Sequence, residues 1–433
     1  MELDPLIDDR GTRIIVCCGA GGVGKTTTAA ALGVRAAERG RRVVVLTIDP
    51  ARRLAQSMGI DSLDNTPRKV DGIKGSDGGE LHAMMLDMKR TFDEIVEAHA
   101  DPERARAILE NPFYQSLSAG FAGTQEYMAM EKLGQLRARD EWDLIVVDTP
   151  PSRSALDFLD APKRLGSFLD GKFIKLLMAP AKVGGRAGMK FLNVGMSMMT
   201  GTLGKLLGGQ FLKDVQTFVA AMDTMFGGFR TRADATYRLL QAPGTAFLVV
   251  ATPERDALRE AAYFVERLAA EEMPLAGLVL NRVHGSGAAG LSAERARAAA
   301  ENLDEGRMTD RGDGKTGRSG SPATSPELSE LATAAVCSVP EAAPTAEPAA
   351  QHPDVDTDAY TDVDVRHLTA GLLRLHAERM RVLAREQRTR DRFTALHPEV
   401  AVAEVAALPG DVHDLAGLRA IGDRLTAGRM PSA

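Results

Sequence analysis

Apolar residues in this chain come in short unbroken runs rather than in strict alternation. Arg42–Ile48 (RVVVLTI), Asp143–Asp148 (DLIVVD), Thr245–Thr252 (TAFLVVAT) and Leu275–Asn281 (LAGLVLN) are the clearest cases. Strands buried on both faces read this way, because helices cover each side of a parallel sheet. Arg13–Gly19 begins with Ile14, Ile15 and Val16 and ends in glycine, Leu81–Asp87 is a weaker strand candidate, and Glu399–Leu408 is the last one. Helix-forming stretches separate them: Ala-rich Lys25–Gly40, Asp93–Ala138 interrupted by Pro102 and Pro112, Glu254–Glu272, amphipathic His367–Arg390 and Val412–Leu425. This alternation predicts an α/β fold built on a doubly wound, mostly parallel sheet with right-handed crossovers.

Two stretches break the alternation. Residues 154–241 lack strand signals and are rich in Gly and Met, which reads as an inserted helical subdomain. Residues 304–364 are rich in Pro, Ala, Ser, Gly and Asp with one aromatic, Tyr360, a composition that buries little apolar area and reads as a disordered insertion, with Ala332–Val339 as a candidate short strand. The expected organisation is therefore a core in three parts, 12–153 (including helices over 88–138), 242–303 and 365–425, carrying those two insertions.

Composition narrows the class. With 44% hydrophobic and 26% charged residues the chain reads as soluble and globular, and with 5% aromatics its core rests on Ala, Val, Leu and Met. A net charge of −6 argues against a nucleic-acid partner, which would call for a basic face. Of three cysteines, Cys17 and Cys18 are adjacent in an apolar run and Cys337 is distant, so no disulfide framework is implied and a reducing cytoplasm is expected. The opening MELDPLIDDR lacks the basic-then-apolar pattern of a signal peptide, and no run of 18 apolar residues predicts a membrane span.

Candidate chemistry begins at Gly19-Ala20-Gly21-Gly22-Val23-Gly24-Lys25-Thr26, followed by Thr27, which fits G-x-x-x-x-G-K-[ST] between a strand and a helix. The glycines let backbone N–H groups turn inward around phosphates, Lys25 reaches the β and γ oxygens, and Thr26 offers its hydroxyl to Mg²⁺ at a helix N-terminus. Asp49 and Asp148 each end an apolar strand, at the edge of the sheet where ligands lie in this architecture. Such an Asp holds Mg²⁺ directly or through water. The pattern points to Mg²⁺-dependent binding and hydrolysis of a nucleoside triphosphate.

Together with Asp49-Pro50-Ala51, Asp148-Thr149-Pro150-Pro151, Leu280-Asn281 and the final His397-Pro398-Glu399-Val400, this loop resembles the arsenite-pump and tail-anchor-targeting ATPase family, a branch of the deviant-Walker P-loop class. The likeness covers about residues 12–303 and 365–425. It implies that Asp49, in a first switch, orients or activates the attacking water, and that Asp148 opens a second switch. It implies that Asn281, beside Arg282 in the nucleotide-binding set, hydrogen-bonds adenine, with the Pro409–Val412 loop nearby. It also implies dimers with nucleotide at the interface, whose opening and closing serve a client, and a cytoplasmic location with or without peripheral attachment to a membrane.

Three departures shape the reading. The family's signature lysine position is Ala20, so slow hydrolysis alone, or a site completed by a partner that has the lysine, is expected, the pair being a homodimer or a heterodimer with a paralogous ATPase. Asn281-Arg282-Val283-His284-Gly285-Ser286-Gly287 carries no C-x-x-C, so no structural zinc is expected. An arsenite-sensing thiol cluster is missing as well. Two functional readings follow: an ATPase coupled to a client, or an ATP-binding regulatory subunit with little hydrolysis of its own. Met189, Met196, Met198, Met199, Met222 and Met225 have two readings too, a groove for a hydrophobic or membrane-protein client or the ordinary core of a helical subdomain.

Overall fold

The computed structural model describes residues 1–48, 53–75, 78–112, 114–115, 124–150, 228, 231–310 and 362–426. The Met-rich segment, Asp49 and Ala332–Val339 lie outside the described residues.

Eight strands form one sheet in the order β3-β4-β2-β5-β1-β6-β7-β8: β1 (Ile14–Gly19), β2 (Arg42–Thr47), β3 (Arg68–Lys69), β4 (Glu80–Met85), β5 (Leu144–Asp148), β6 (Thr245–Ala251), β7 (Leu275–Val283) and β8 (Val402–Ala406). Every pairing is parallel except β3 with β4. Alternate residues of each strand feed different cores. On one face Ile15, Cys17, Val43, Val45, Val146, Leu248 and Val250 pack beneath α2 (Lys25–Glu38) and α10 (Leu415–Thr426). On the other, Ile14, Val16, Val44, Leu46, Val147, Phe247 and Val249 belong to the cluster that holds buried residues of α4 (Met88–His99), α6 (Thr124–Ala138) and α7 (Arg255–Ala270). The unbroken apolar runs are the consequence of this two-sided cover. The expected strands and crossover helices are present, with bounds that differ by a few residues; β3, two exposed polar residues, has no hydrophobic signal to betray it.

Short helix α1 (Asp4–Asp8) is stapled to α2 by Arg35–Asp4 and Arg39–Asp8 ion pairs. Beneath it Arg41, only 1% exposed, donates to the carbonyls of Ile7, Thr12 and Asp143, each at 2.6 Å, and to that of Asp9 at 3.2 Å. A guanidinium buried without a carboxylate partner is tolerated here because so many of its N–H groups find backbone oxygens. Between α4 and α6 lies α5 (Pro102–Leu109), whose N-cap Asp101 accepts from Arg104 N–H; α3 (Arg53–Ser57) follows β2.

Contacts divide the chain into two compact units, one of Met1–Val283 with Phe393–Met430 and one of His284–Arg392 with the last three residues, Pro431–Ala433. The second unit thus groups 284–303 and 365–392, which were expected within the core. It contains α8 (Ala293–Asp310) and most of the 35-residue helix α9 (Asp362–Leu396), so residues at both ends of the expected 304–364 insertion are helical. Within it Arg374 pairs with Asp304, His376 with the Leu291 carbonyl and Arg379 with the Gly285 carbonyl. Among the described residues no helix is long and apolar enough to cross a membrane.

Candidate nucleotide site

Strand β1 delivers the glycine loop at the centre of the sheet, flanked by β5 and β6. Gly19, at φ 147°, lies so close to β6 that a Cβ there would collide with the Val250 carbonyl. Gly24, at φ 95°, is the N-cap of α2, and a Cβ would strike the Asn281 amide. Both positions demand glycine, one for close strand approach and one for a left-handed cap. Gly21 and Gly22 are exposed at the tip of the loop, and Val23 is buried beneath it.

Lys25 and Thr26 open α2, where the first free N–H groups of the helix and its positive end converge. Lys25 is buried, and its ammonium donates to the Ala20 carbonyl at 2.8 Å, lying back along the loop. Thr26 donates its hydroxyl to Asp148 Oδ2 at 2.7 Å. Asp148, fully buried at the end of β5, accepts on the same oxygen from Thr47 at 2.9 Å. Thr47 was not singled out from the sequence; its only clue is a hydroxyl at the end of a strand whose buried residues are otherwise Val and Leu. Thr27 lies in the first turn of α2, half-buried.

Asn281, buried near the end of β7, donates its amide N–H to the Val23 carbonyl at 2.9 Å and accepts from the Arg282 N–H at 2.9 Å. The β7–β8 register shifts between Leu280 and Val283, and Arg282 takes a left-handed φ of 58° with its side chain exposed. The bulge turns Asn281 onto the loop, so β7 props the phosphate loop from the side opposite Asp148. The structure therefore brings together Gly19 to Thr27, Asp148, Asn281 and Arg282.

Hard oxygen donors fit Mg²⁺: the Thr26 hydroxyl and the Asp148 carboxylate already meet at the foot of α2. Thiol chemistry is muted. Burial pushes the Cys17 thiol well up, helped by the Asp148 carboxylate, and pushes Cys18 up to about 12. Both remain protonated thiols packed in β1.

A parallel sheet whose central strand turns through glycines into a Lys-Thr helix, with a buried Asp on the neighbouring strand held by that Thr, defines a P-loop nucleoside triphosphatase. A family model for anion-transporting ATPases matches residues 12–301, and the chain belongs to that family. It is 26% identical to ATPase GET3 of Podospora anserina over 283 residues, 65% of this chain and 76% of that protein. It is 27% identical to ATPase ARSA2 of Chlamydomonas reinhardtii over 293 residues, 65% of this chain and 70% of that protein. A shorter match, 31% over 163 residues, joins 38% of the chain to 46% of ATPase GET3 of Malassezia globosa. This protein is an ATPase of the ArsA family.

Proposed function

We propose that the chain hydrolyses ATP slowly on its own and rapidly in a dimer whose partner supplies a cation, and that opening and closing of the pair drives a client. Ala20 carries the reading. The loop around it is complete, with Lys25, Thr26 and Asp148 in one cluster, yet position 20 offers a methyl group that is 8% exposed and packed in the core. Phosphoryl transfer leaves a protein little to do but position groups and stabilise charge, so one cation near the γ-phosphate is worth orders of magnitude in rate.

The loop amides and Lys25 bind the phosphates, and Thr26, Asp148 and Asp49 would hold Mg²⁺, which would supply neutralisation of the phosphate charge. Asp49 orients the water for in-line attack. Asn281 fixes the loop, and with Arg282 it faces the base. Loss of the γ-phosphate then releases the segments that follow Thr47 and Asp148, the strand ends joined by Thr47 on Asp148. A paralogous chain with lysine at the equivalent of Ala20 is the partner that the missing cation calls for. A segment of a hydrophobic or membrane protein is the client that the Met-rich stretch suits.

Single-turnover hydrolysis tests this. Ala20→Lys should raise the rate of the purified chain by at least tenfold, and mixing wild type with a lysine-bearing paralogue should exceed the sum of the separate rates. Strict additivity, together with no gain from Ala20→Lys, would sink the proposal and favour the regulatory-subunit reading.

A further inference from the structure

Helix α6 is buried along much of its length, with Tyr127, Met128, Ala129, Met130, Leu133 and Leu136 all enclosed. Its two charged residues in that stretch are buried and paired. Glu131 accepts from Arg232 at 2.7 Å and from Tyr127 at 3.1 Å, and Lys132 donates to Glu94 at 3.0 Å. Glu94 in turn accepts from Asn65 at 3.1 Å. A helix pinned by packing and by satisfied buried charges is a rigid mount.

From the first turn of this mount Gln125, half-buried, donates its amide N–H to the Ile48 carbonyl at 2.9 Å across 77 residues of sequence. Ile48 stands where β2 leaves the sheet. The ladders with β4 and β5 end at Thr47, paired with Met85 and Asp148. The Ile48 N–H still reaches the Asp148 carbonyl at 3.0 Å, but the direction of the outgoing chain is set on its carbonyl side by Gln125. The next residue in the chain is Asp49.

We propose that Gln125 is a positioning residue for hydrolysis, holding the peptide that leads into Asp49 without touching nucleotide. The proposal rests on the reading of Asp49 as the residue that orients water. A hydrogen bond at this exit fixes the Ile48 peptide, and rate is lost when the backbone that carries a reacting group strays.

Gln125→Glu keeps the size of the side chain but replaces the amide donor with acceptor oxygens; Gln125→Ala removes both. Single-turnover rates, ATP affinity and amide exchange over 48–58 are to be measured for each, beside Asp49→Asn. Gln125→Glu should lower the hydrolysis rate about tenfold with ATP affinity within twofold of wild type, and exchange over 48–58 should rise at least fivefold while 14–19 is unchanged. If Gln125→Glu hydrolyses as wild type, or leaves exchange over 48–58 unmoved, the proposal is overturned. Loss in Gln125→Ala alone also overturns it, making Gln125 a packing residue. If wild-type turnover is too slow to compare, the exchange result decides. Asp49→Asn at full rate removes the reading beneath the proposal, whereas an inactive Asp49→Asn beside a fully active Gln125→Glu removes the proposal only.

Discussion

Replacing Thr47 by valine isolates one bond at the centre of the site. The change is close to isosteric, so it opens no cavity in a side chain that is 1% exposed. What it removes is a hydroxyl donor 2.9 Å from Oδ2 of the fully buried Asp148. A hydrogen bond to a charged group contributes about 1.5–3 kcal/mol. The methyl that takes its place returns about 0.8 kcal/mol of apolar burial. The net loss is about 1–2 kcal/mol, which in a domain of this size lowers the melting temperature by about 2–8 °C. Asp148 then keeps on that oxygen the bond from Thr26, the hydroxyl proposed above as a Mg²⁺ ligand. The midpoint of Mg²⁺-dependent ATP binding should rise by at most about 5- to 30-fold, the limit reached when the whole 1–2 kcal/mol is felt in the Mg²⁺-bound state alone. Calorimetric melting and a Mg²⁺ titration of ATP binding read the two effects. Thr47→Ser, which keeps the donor, should leave the Mg²⁺ midpoint at the wild-type value. An equal shift in Thr47→Ser and Thr47→Val would refute the reasoning, because packing rather than the hydrogen bond would then be responsible.

Other outcomes follow from features away from the loop. Arg41→Met removes the donor that serves four carbonyls, of which that of Asp9 keeps the Thr12 N–H, and should cost about 3–5 kcal/mol in denaturant unfolding, far more than Arg42→Met at the exposed neighbour. Cys17 and Cys18 should resist a thiol reagent at pH 7.5 in the native protein and react after denaturation; Cys18, pushed up to about 12, should stay slow in the folded state even at pH 9. Hydrogen bonds from Arg35 and Arg39 lower the carboxyls of Asp4 and Asp8 below their ordinary values. Their stabilisation is thus complete above the ordinary carboxyl range and lost as pH falls through the lowered values, so exchange protection of α1 should fade below about pH 4. Asp4→Asn should abolish part of that pH dependence while costing about 0.5–1 kcal/mol at pH 7, since the pair is partly exposed.

The fold was legible where one physical cause dominated. A strand covered on both faces must be apolar throughout, so β1, β2, β5, β6 and β7 announce themselves, and the glycine loop does so because Gly24 and Gly19 have no alternatives. Pairings between distant residues left no such mark. Nothing in Gly40-Arg41-Arg42 tells the buried arginine from the exposed one; only the fold shows which points at the carbonyls of Ile7 and Thr12. Gln125 looks like one more polar residue in a helix-forming stretch until α6 sets it against Ile48. Asn281 was assigned to a base by resemblance, and its amide meets the Val23 carbonyl, a contact that depends on a bulge no periodicity reveals. The boundary of the second unit is invisible for a related reason: α8 and α9 are helical whichever body they join.

The place of β1 in the sheet sets the order in which the chain can be completed during synthesis. One of its neighbours ends at Asp148 and the other at Ala251. At about 5–20 residues per second, the stretch from Gly19 to Ala251 takes the ribosome roughly 10–50 s. For that time one edge of a strand made of Ile, Ile, Val and two cysteines waits without its partner, and the phosphate loop waits without the β6 backbone against which Gly19 closes. The nascent chain thus carries an open, apolar strand edge longer than most domains take to fold, which makes the interval before β6 emerges the period when this protein most needs a chaperone.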